Sequence, residues 1–164
     1  MNKKQVVLLS MMTVLLFHLI LLLPSKDTKL RDNNIAMKHE KEASLLHLDL
    51  NTENYLKVLE FYEIKNPTIV LAQALWETGY FKSYNCRIRN NTLGLYDSKN
   101  KRFFSFNHWT ESIKLYKEAV EYKLKKGEDY YIFLDRIGYA EDPNYVDSIK
   151  SMVHRLRIKE NIIE

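Results

Sequence analysis

The sequence has few of the residues that build turns, disulfides or metal centres. It contains 164 residues, among them one cysteine, three prolines and four glycines. A single cysteine excludes an intramolecular disulfide and a cysteine-rich zinc site. Sandwiches and barrels made only of strands need many turns, so the scarcity of glycine and proline argues against that class. A chain of this length is expected to form one domain, or one domain with a tail.

An excess of charge of one sign is also lacking. The 25 basic and 21 acidic residues give a net charge of +4. Two of the basic residues are Lys3 and Lys4, so residues 25–164 carry 23 basic and 21 acidic residues. This balance does not indicate a nucleic-acid partner, and we expect none. The histidines show no metal-ligand spacing, so we also expect no metal and no cofactor.

Residues 6–23 form a long apolar run, which Lys3 and Lys4 precede and Pro24 ends. A run of this kind is typical of a signal peptide or of a transmembrane anchor. The lysines on its N-terminal side predict that the remainder of the chain lies outside the cytoplasm. We therefore expect residues 1–24 to be a cleaved signal or a membrane-anchoring apolar helix. An exported protein would then contact the membrane through this segment.

The rest of the chain divides into a linker and one domain. Residues 25–51 are polar with charges of both signs, which indicates a linker with a short helix near residues 37–46. From Thr52 the apolar spacing becomes helical, with Thr52 as the predicted cap. Asn66 and Pro67 predict the start of a second helix, which we expect to stop near Gly79.

A small hairpin and three more helices are predicted after this. The segment 83–91 reads as a loop, and the β-type runs 92–96 and 102–106 flank a polar turn. Helices are expected over about 110–126 and 129–137, and a last one from Asp142-Pro143 onward. The prediction for residues 52–164 is an α+β domain, mostly α-helical, with one hairpin.

Glu77 is the acid whose position best suits catalysis. It falls in the last turn of an apolar helix, where the helix dipole disfavours a negative charge. Aromatic residues beside it, Trp76 and Tyr80 among them, would exclude water. Both effects raise the pKa of a carboxyl, as a general acid at neutral pH requires. The ordinary alternative is a solvated glutamate on a helix surface.

Other segments each have a structural and a functional interpretation. Asn90 and Asn91 precede Gly94, which is typical of a turn. Asp142 and Pro143 are typical of a helix start, but capping leaves Tyr139 unexplained, so its side chain could point into a cleft. A further set of aromatic residues could pack in the core or stack on sugars: Phe103, Phe104, Phe106, Trp109 and Tyr116.

These segments, in this order, resemble the glucosaminidase domain of glycoside hydrolase family 73, which is similar to mannosyl-glycoprotein endo-β-N-acetylglucosaminidase. The resemblance covers residues 67–156 and rests on four segments of the sequence: LAQALWETG (71–79), NNTLG (90–94), FSFNHWTES with Tyr116 (104–112) and YAEDPNY (139–145). The compact form resembles versions from Bacteroides-like bacteria, which implies a periplasmic location.

The resemblance implies a lysozyme-like fold and hydrolysis of the β-1,4 bond after N-acetylglucosamine in peptidoglycan. Glu77 falls on the catalytic acid of the family, and Tyr139 on a tyrosine beside it. Asn90, Asn91 and Gly94 fall on the segment that shapes the substrate cleft. Three further aromatic residues are expected to bind substrate: Tyr80, Trp109 and Tyr116.

The sequence departs from the family in its second acid. Many members carry this acid in a longer β-lobe, whereas here the corresponding stretch is short and contains only Asp97. Asp97 is one candidate for the second catalytic group, Asp142 is another, and assistance by the 2-acetamido group of the substrate is a third. A glycan-binding or scaffold module without turnover, or a lytic transglycosylase that needs a single acid, are the alternative functions.

Overall fold

The computed structural model describes residues 26–161. The apolar helix expected over residues 1–24 lies outside them. The chain divides into two units, at residues 44 and 45. Within residues 26–161, no helix combines the length and the apolar composition that crossing a membrane requires.

The described part of the first unit is helical. Helix α1 spans Lys26–Leu45, so the helix that the sequence predicted near residues 37–46 is longer than expected. Charged residues occur all along it, and three of its apolar side chains are exposed: Leu30, Ile35 and Met37. No stripe of buried side chains follows its length, which agrees with the absence of an apolar period in this segment.

The second unit is built around a central helix. Helix α2 spans Thr52–Phe61 and α3 spans Pro67–Thr78. Asn51 caps α2, because its side chain accepts a hydrogen bond from Asn54 N at 2.9 Å, so the prediction of Thr52 as the cap was wrong by one residue. The predicted start of α3 at Pro67 is confirmed, as is its end at Gly79, which adopts a left-handed conformation with φ +53°.

The segment expected as a loop contains a short helix, α4, which spans Tyr84–Arg89. Ser83 accepts a hydrogen bond from Cys86 N at its start, and Asn90 closes it with φ +52°. The hairpin is confirmed but is shorter than predicted. Its strands, β1 (Tyr96–Asp97) and β2 (Arg102–Phe103), pair antiparallel with Tyr96 opposite Phe103.

Three helices complete the unit: α5 (Thr110–Ala119), α6 (Tyr130–Arg136) and α7 (Tyr145–Asn161). Helix α5 ends earlier than predicted, and a 3₁₀ turn over Glu121–Lys123 follows it. Asp142 does not start α7 directly; its carboxylate accepts a hydrogen bond from Asn144 N at 2.9 Å, one residue before the helix. The prediction of a mostly helical domain with one small hairpin is confirmed.

Helix α3 forms the centre of the core, because it packs against α2, α4 and α7. Seven of its twelve residues are buried, among them Val70, Leu71 and Leu75. Such a helix has little surface left for solvent, and Glu77 lies where its last turn reaches the edge of the core. The buried packing of α3 therefore fixes the position of Glu77.

Candidate active site

Glu77 lies on the wall of an open cleft. The cleft has a volume of about 660 Å³ and opens between the end of α3, the hairpin and the segment before α7. Besides Glu77 it is lined by residues 93–96, Ser98, Phe103, Val120, Lys123 and residues 137–141. The carboxylate is half-buried. A sugar chain can therefore reach a carboxyl group that is partly shielded from water.

The environment of Glu77 favours its protonated form. Burial raises the pKa of its carboxyl, and a hydrogen bond from the Tyr145 hydroxyl lowers it, burial being the larger effect. A raised pKa keeps a proton on the group at higher pH, which suits a general acid. The expectation from sequence that the pKa of this carboxyl is raised is confirmed in direction.

Gly94 lies directly against the carboxylate. Its backbone has φ +61°, and a Cβ added there would lie 3.0 Å from Glu77 Oε2 and 3.4 Å from Glu77 Cδ. Both the left-handed backbone and the close approach favour a residue without a side chain. Gly94 therefore shapes the cleft at its acid, in the place that the sequence predicted for it.

A chain of buried hydrogen bonds leads from the core to Glu77. Gln73 Nε2 donates to the Tyr145 hydroxyl at 3.2 Å, and Tyr145 in turn donates to the Glu77 carboxylate. On the other side of the amide, the Tyr116 hydroxyl donates to Gln73 Oε1 at 3.1 Å. Because Tyr116 has used its only proton, its 2.9 Å hydrogen bond with Tyr130 must be donated by Tyr130. All donors thus point along one direction that ends at Glu77.

Tyr139 joins two walls of the cleft. Its hydroxyl donates to the Leu93 carbonyl at 2.7 Å. Its ring centroid lies 5.6 Å from that of Tyr145 and 5.9 Å from that of Tyr116. Tyr139 lines the same cleft as Glu77, so the structure brings together the acid and the tyrosine that the sequence placed beside it.

The residues after Glu77 follow an unusual backbone path. Gly79, Tyr80 and Phe81 all have positive φ, at 53°, 61° and 65°. The Thr78 hydroxyl supports this turn, since it accepts a hydrogen bond from Phe81 N at 2.8 Å. A non-glycine residue with positive φ is strained, and such strain often occurs beside active sites. Thr78 thus holds the turn that ends α3 next to the acid.

The asparagine pair holds the hairpin rather than facing the cleft. Asn90 Nδ2 donates to the carbonyls of Phe106 and Asn107 at 3.0 and 3.1 Å. Asn91 is fully buried; its amide donates to Leu95 O at 2.8 Å and accepts from Leu95 N at 2.9 Å. Both residues act on the cleft indirectly, because they position the loop that carries Gly94.

Asp97 is occupied within the hairpin turn. One carboxylate oxygen accepts from the backbone nitrogens of Lys99 and Asn100, both at 3.1 Å, and the other accepts from Asn100 Nδ2. These hydrogen bonds, led by the one from the Asn100 side chain, lower the pKa of Asp97. Asp97 is not among the residues that line the cleft. The structure thus gives it the role of a turn-stabilising residue.

Two of the predicted sugar-binding aromatic residues belong to the core. Tyr116 has no exposed surface, and Trp109 is 3% exposed, stacked on Tyr55 at 5.6 Å with Nε1 bonded to Leu48 O. Neither has surface to offer a sugar. Tyr80 is 54% exposed, and its hydroxyl reaches Met152 Sδ at 3.6 Å. It does not line the cleft around Glu77.

The sequence alone did not identify several residues of the site. Gln73 and Tyr145 lay inside the motifs, but only the fold shows that they bond to each other and to Glu77. Glu141 lines the cleft, whereas Asp142, its neighbour in the YAEDPNY segment and the predicted candidate, does not. The signal for Glu141 is its place two residues after Tyr139, which the sequence predicted to face a cleft.

Comparison with known proteins identifies the family of the chain. No curated protein sequence matches it. The glycoside hydrolase domain of FlgJ from Salmonella typhimurium is similar in structure, with a TM-score of 0.47 and 18% identity, over 70% of this chain and 93% of that chain. The sequence model of the family described as mannosyl-glycoprotein endo-beta-N-acetylglucosaminidase matches residues 52–158. The chain therefore belongs to this glucosaminidase family and is a glycoside hydrolase.

Proposed function

We propose that this protein is a peptidoglycan hydrolase that cleaves the β-1,4 bond after N-acetylglucosamine, with Glu77 as its general acid. The observation that carries the proposal is a half-buried carboxyl, with its pKa raised by burial, on the wall of an open cleft. In this mechanism Glu77 gives its proton to the glycosidic oxygen as the bond to the anomeric carbon breaks. The Tyr145 hydroxyl then stabilises the carboxylate that remains.

Exposed aromatic rings on the cleft support a sugar as the substrate. Tyr96 and Phe103 face each other across the hairpin with ring centroids 5.2 Å apart, and they are 47% and 39% exposed. Burying apolar ring surface against the apolar face of a sugar is favourable, whereas leaving it in water is not. Both rings line the cleft that contains Glu77.

The test is cleavage of purified peptidoglycan by the full-length chain and by Glu77→Gln. We expect the unsubstituted protein to release reducing ends and the variant to do so about 10²–10⁴-fold more slowly, which is the usual contribution of a general acid. Glu118→Gln is the matched control, because Glu118 is an exposed glutamate on α5. Equal rates for Glu77→Gln and Glu118→Gln would exclude Glu77 as the acid.

Mass spectrometry of the products identifies the reaction. New ends that carry reducing N-acetylglucosamine support the proposal. Anhydromuramic ends would instead identify a lytic transglycosylase, and binding to glycan without new ends would identify a scaffold module. Since peptidoglycan lies outside the cytoplasmic membrane, the proposal includes export directed by residues 1–24, which N-terminal sequencing of the mature protein tests.

A further inference from the structure

Two carboxylates line the cleft in the part of the chain that the structure describes, those of Glu77 and Glu141. The other acids considered for a second catalytic group have different partners. Asp97 is bonded to Lys99 and Asn100 in the hairpin turn, and Asp142 to Asn144 before α7. Neither lines the cleft. Glu141 is therefore the acid that remains for chemistry opposite Glu77.

Covalent and hydrogen-bonded connections fix the wall that carries Glu141. Gly94 lies beside the Glu77 carboxylate, and Leu93 precedes Gly94 in the chain. The Leu93 carbonyl accepts the 2.7 Å hydrogen bond from Tyr139, and Glu141 follows Tyr139 by two residues. The segment that carries Glu141 is thus held to Leu93, the neighbour of Gly94, by the hydrogen bond from Tyr139.

The two carboxylates have different surroundings. Glu77 is half-buried and bonded to Tyr145, whereas Glu141 is exposed to solvent. The cleft that both carboxylates line has a volume of about 660 Å³, which leaves space for a water molecule beside a bound sugar. Inverting glycosidases need such space, with carboxylates roughly 6.5–9.5 Å apart.

We propose that Glu141 is the general base that activates the hydrolytic water, a role that rests on the proposed function. Its carboxylate takes a proton from water as the water oxygen bonds to the anomeric carbon. The bond from that carbon to the glycosidic oxygen breaks, and Glu77 protonates the leaving oxygen. Exchange with solvent returns the proton from Glu141 and restores the proton on Glu77. The net reaction consumes one water and inverts the anomeric carbon.

The experiment compares the full-length chain with Glu141→Gln and Glu141→Ala on a soluble peptidoglycan glycan. We expect kcat to fall about 10²–10⁴-fold in Glu141→Gln with KM changed little, and Glu118→Gln to match the unsubstituted chain. Azide, a small anionic nucleophile, is expected to restore part of the activity of Glu141→Ala and to yield a glycosyl azide. Thermal unfolding checks that each variant is folded.

A second readout needs no substitution. Nuclear magnetic resonance of the unsubstituted reaction identifies the first anomer of the new reducing end, and inversion of the β-linkage yields the α-anomer. A first-formed β-anomer would overturn the proposal, because it indicates retention through the acetamido group or a covalent intermediate. Retained kcat in Glu141→Gln would overturn it as well. If the unsubstituted chain releases no reducing ends, the proposed function itself fails, and the role of Glu141 with it.

Discussion

Replacing Gly94 with alanine should have two separable effects, a displacement of the Glu77 carboxyl that lowers activity and a backbone strain that lowers stability. The added Cβ would lie 3.0 Å from Glu77 Oε2, closer than a carbon and an oxygen normally approach. The half-buried carboxylate of Glu77, the candidate acid, must therefore move by a few tenths of an ångström. The substitution therefore acts on the Glu77 carboxylate itself.

The backbone cost of this change can be estimated on its own. Gly94 has φ +61°, a conformation that costs an L-residue about 1–2 kcal/mol. For a domain of this size, that loss lowers Tm by roughly 4–8 °C. Gly127 also lies in the left-handed region, with φ +77°, but a Cβ there meets nothing within 4 Å. Gly127→Ala should therefore lose similar stability without disturbing Glu77.

The assay measures kcat/KM for reducing-end release together with Tm for both variants. A misplacement of about 1 Å at a reacting group costs about 10²-fold, so a smaller shift predicts a loss of about 10- to 100-fold for Gly94→Ala. Gly127→Ala should keep its activity below its lowered Tm. Full activity in Gly94→Ala, or equal losses in both variants, would refute the reasoning that Gly94 positions the Glu77 carboxyl for the proposed reaction.

Two other substitutions test the surroundings of the site. Tyr145→Phe removes the hydrogen bond that lowers the pKa of Glu77. The pKa of Glu77 should therefore rise further. Because a general acid works below its pKa, the alkaline limb of the kcat/KM profile against pH should move to higher pH. An unchanged limb would contradict the role of Glu77 as the acid. Glu121 is 4% exposed and accepts from Lys65 N and Lys117 Nζ, both at 2.7 Å. Glu121→Ala removes the acceptor of Lys65 N and leaves Lys117 Nζ with the Glu63 carbonyl alone. This change should cost about 1–3 kcal/mol in unfolding free energy, measured by urea denaturation, with kcat unchanged below the transition.

The sequence predicted those parts of the fold that local chemistry determines. Asn66-Pro67 and Gly79 bound α3 in the structure as they did in the prediction, because a proline start and a left-handed stop act within a few residues. Helix α4 was missed because six residues are too few to show a period. The hairpin is short because the Asn91 side chain takes the place of a direct bond between Leu95 N and Phe104 O: its Oδ1 accepts from Leu95 N and its Nδ2 donates to Phe104 O.

The site was predictable where a residue acts through its own chemistry. The position of Glu77 at the end of an apolar helix indicated both its burial and the direction of its pKa shift. The roles of Trp109 and Tyr116 depend on which face of a helix the core covers, and composition does not determine this. The hydrogen bond between Tyr139 and Leu93 holds the segment with Glu141 at the cleft. These two residues are 46 positions apart in the sequence, so a local pattern does not predict this contact.

The uniform direction of the buried hydrogen bonds has a consequence for the energetics of proton release. In the proposed reaction Glu77 gives up its proton, and a new negative charge appears on its carboxyl. That carboxyl lies at the end of a series of dipoles that already point toward it, those of Tyr130, Tyr116, Gln73 and Tyr145. Water would have to reorient around such a charge, whereas these groups are oriented when the chain folds. The packing of α3, α5, α6 and α7 thus fixes these dipoles before the reaction and lowers its reorganisation energy.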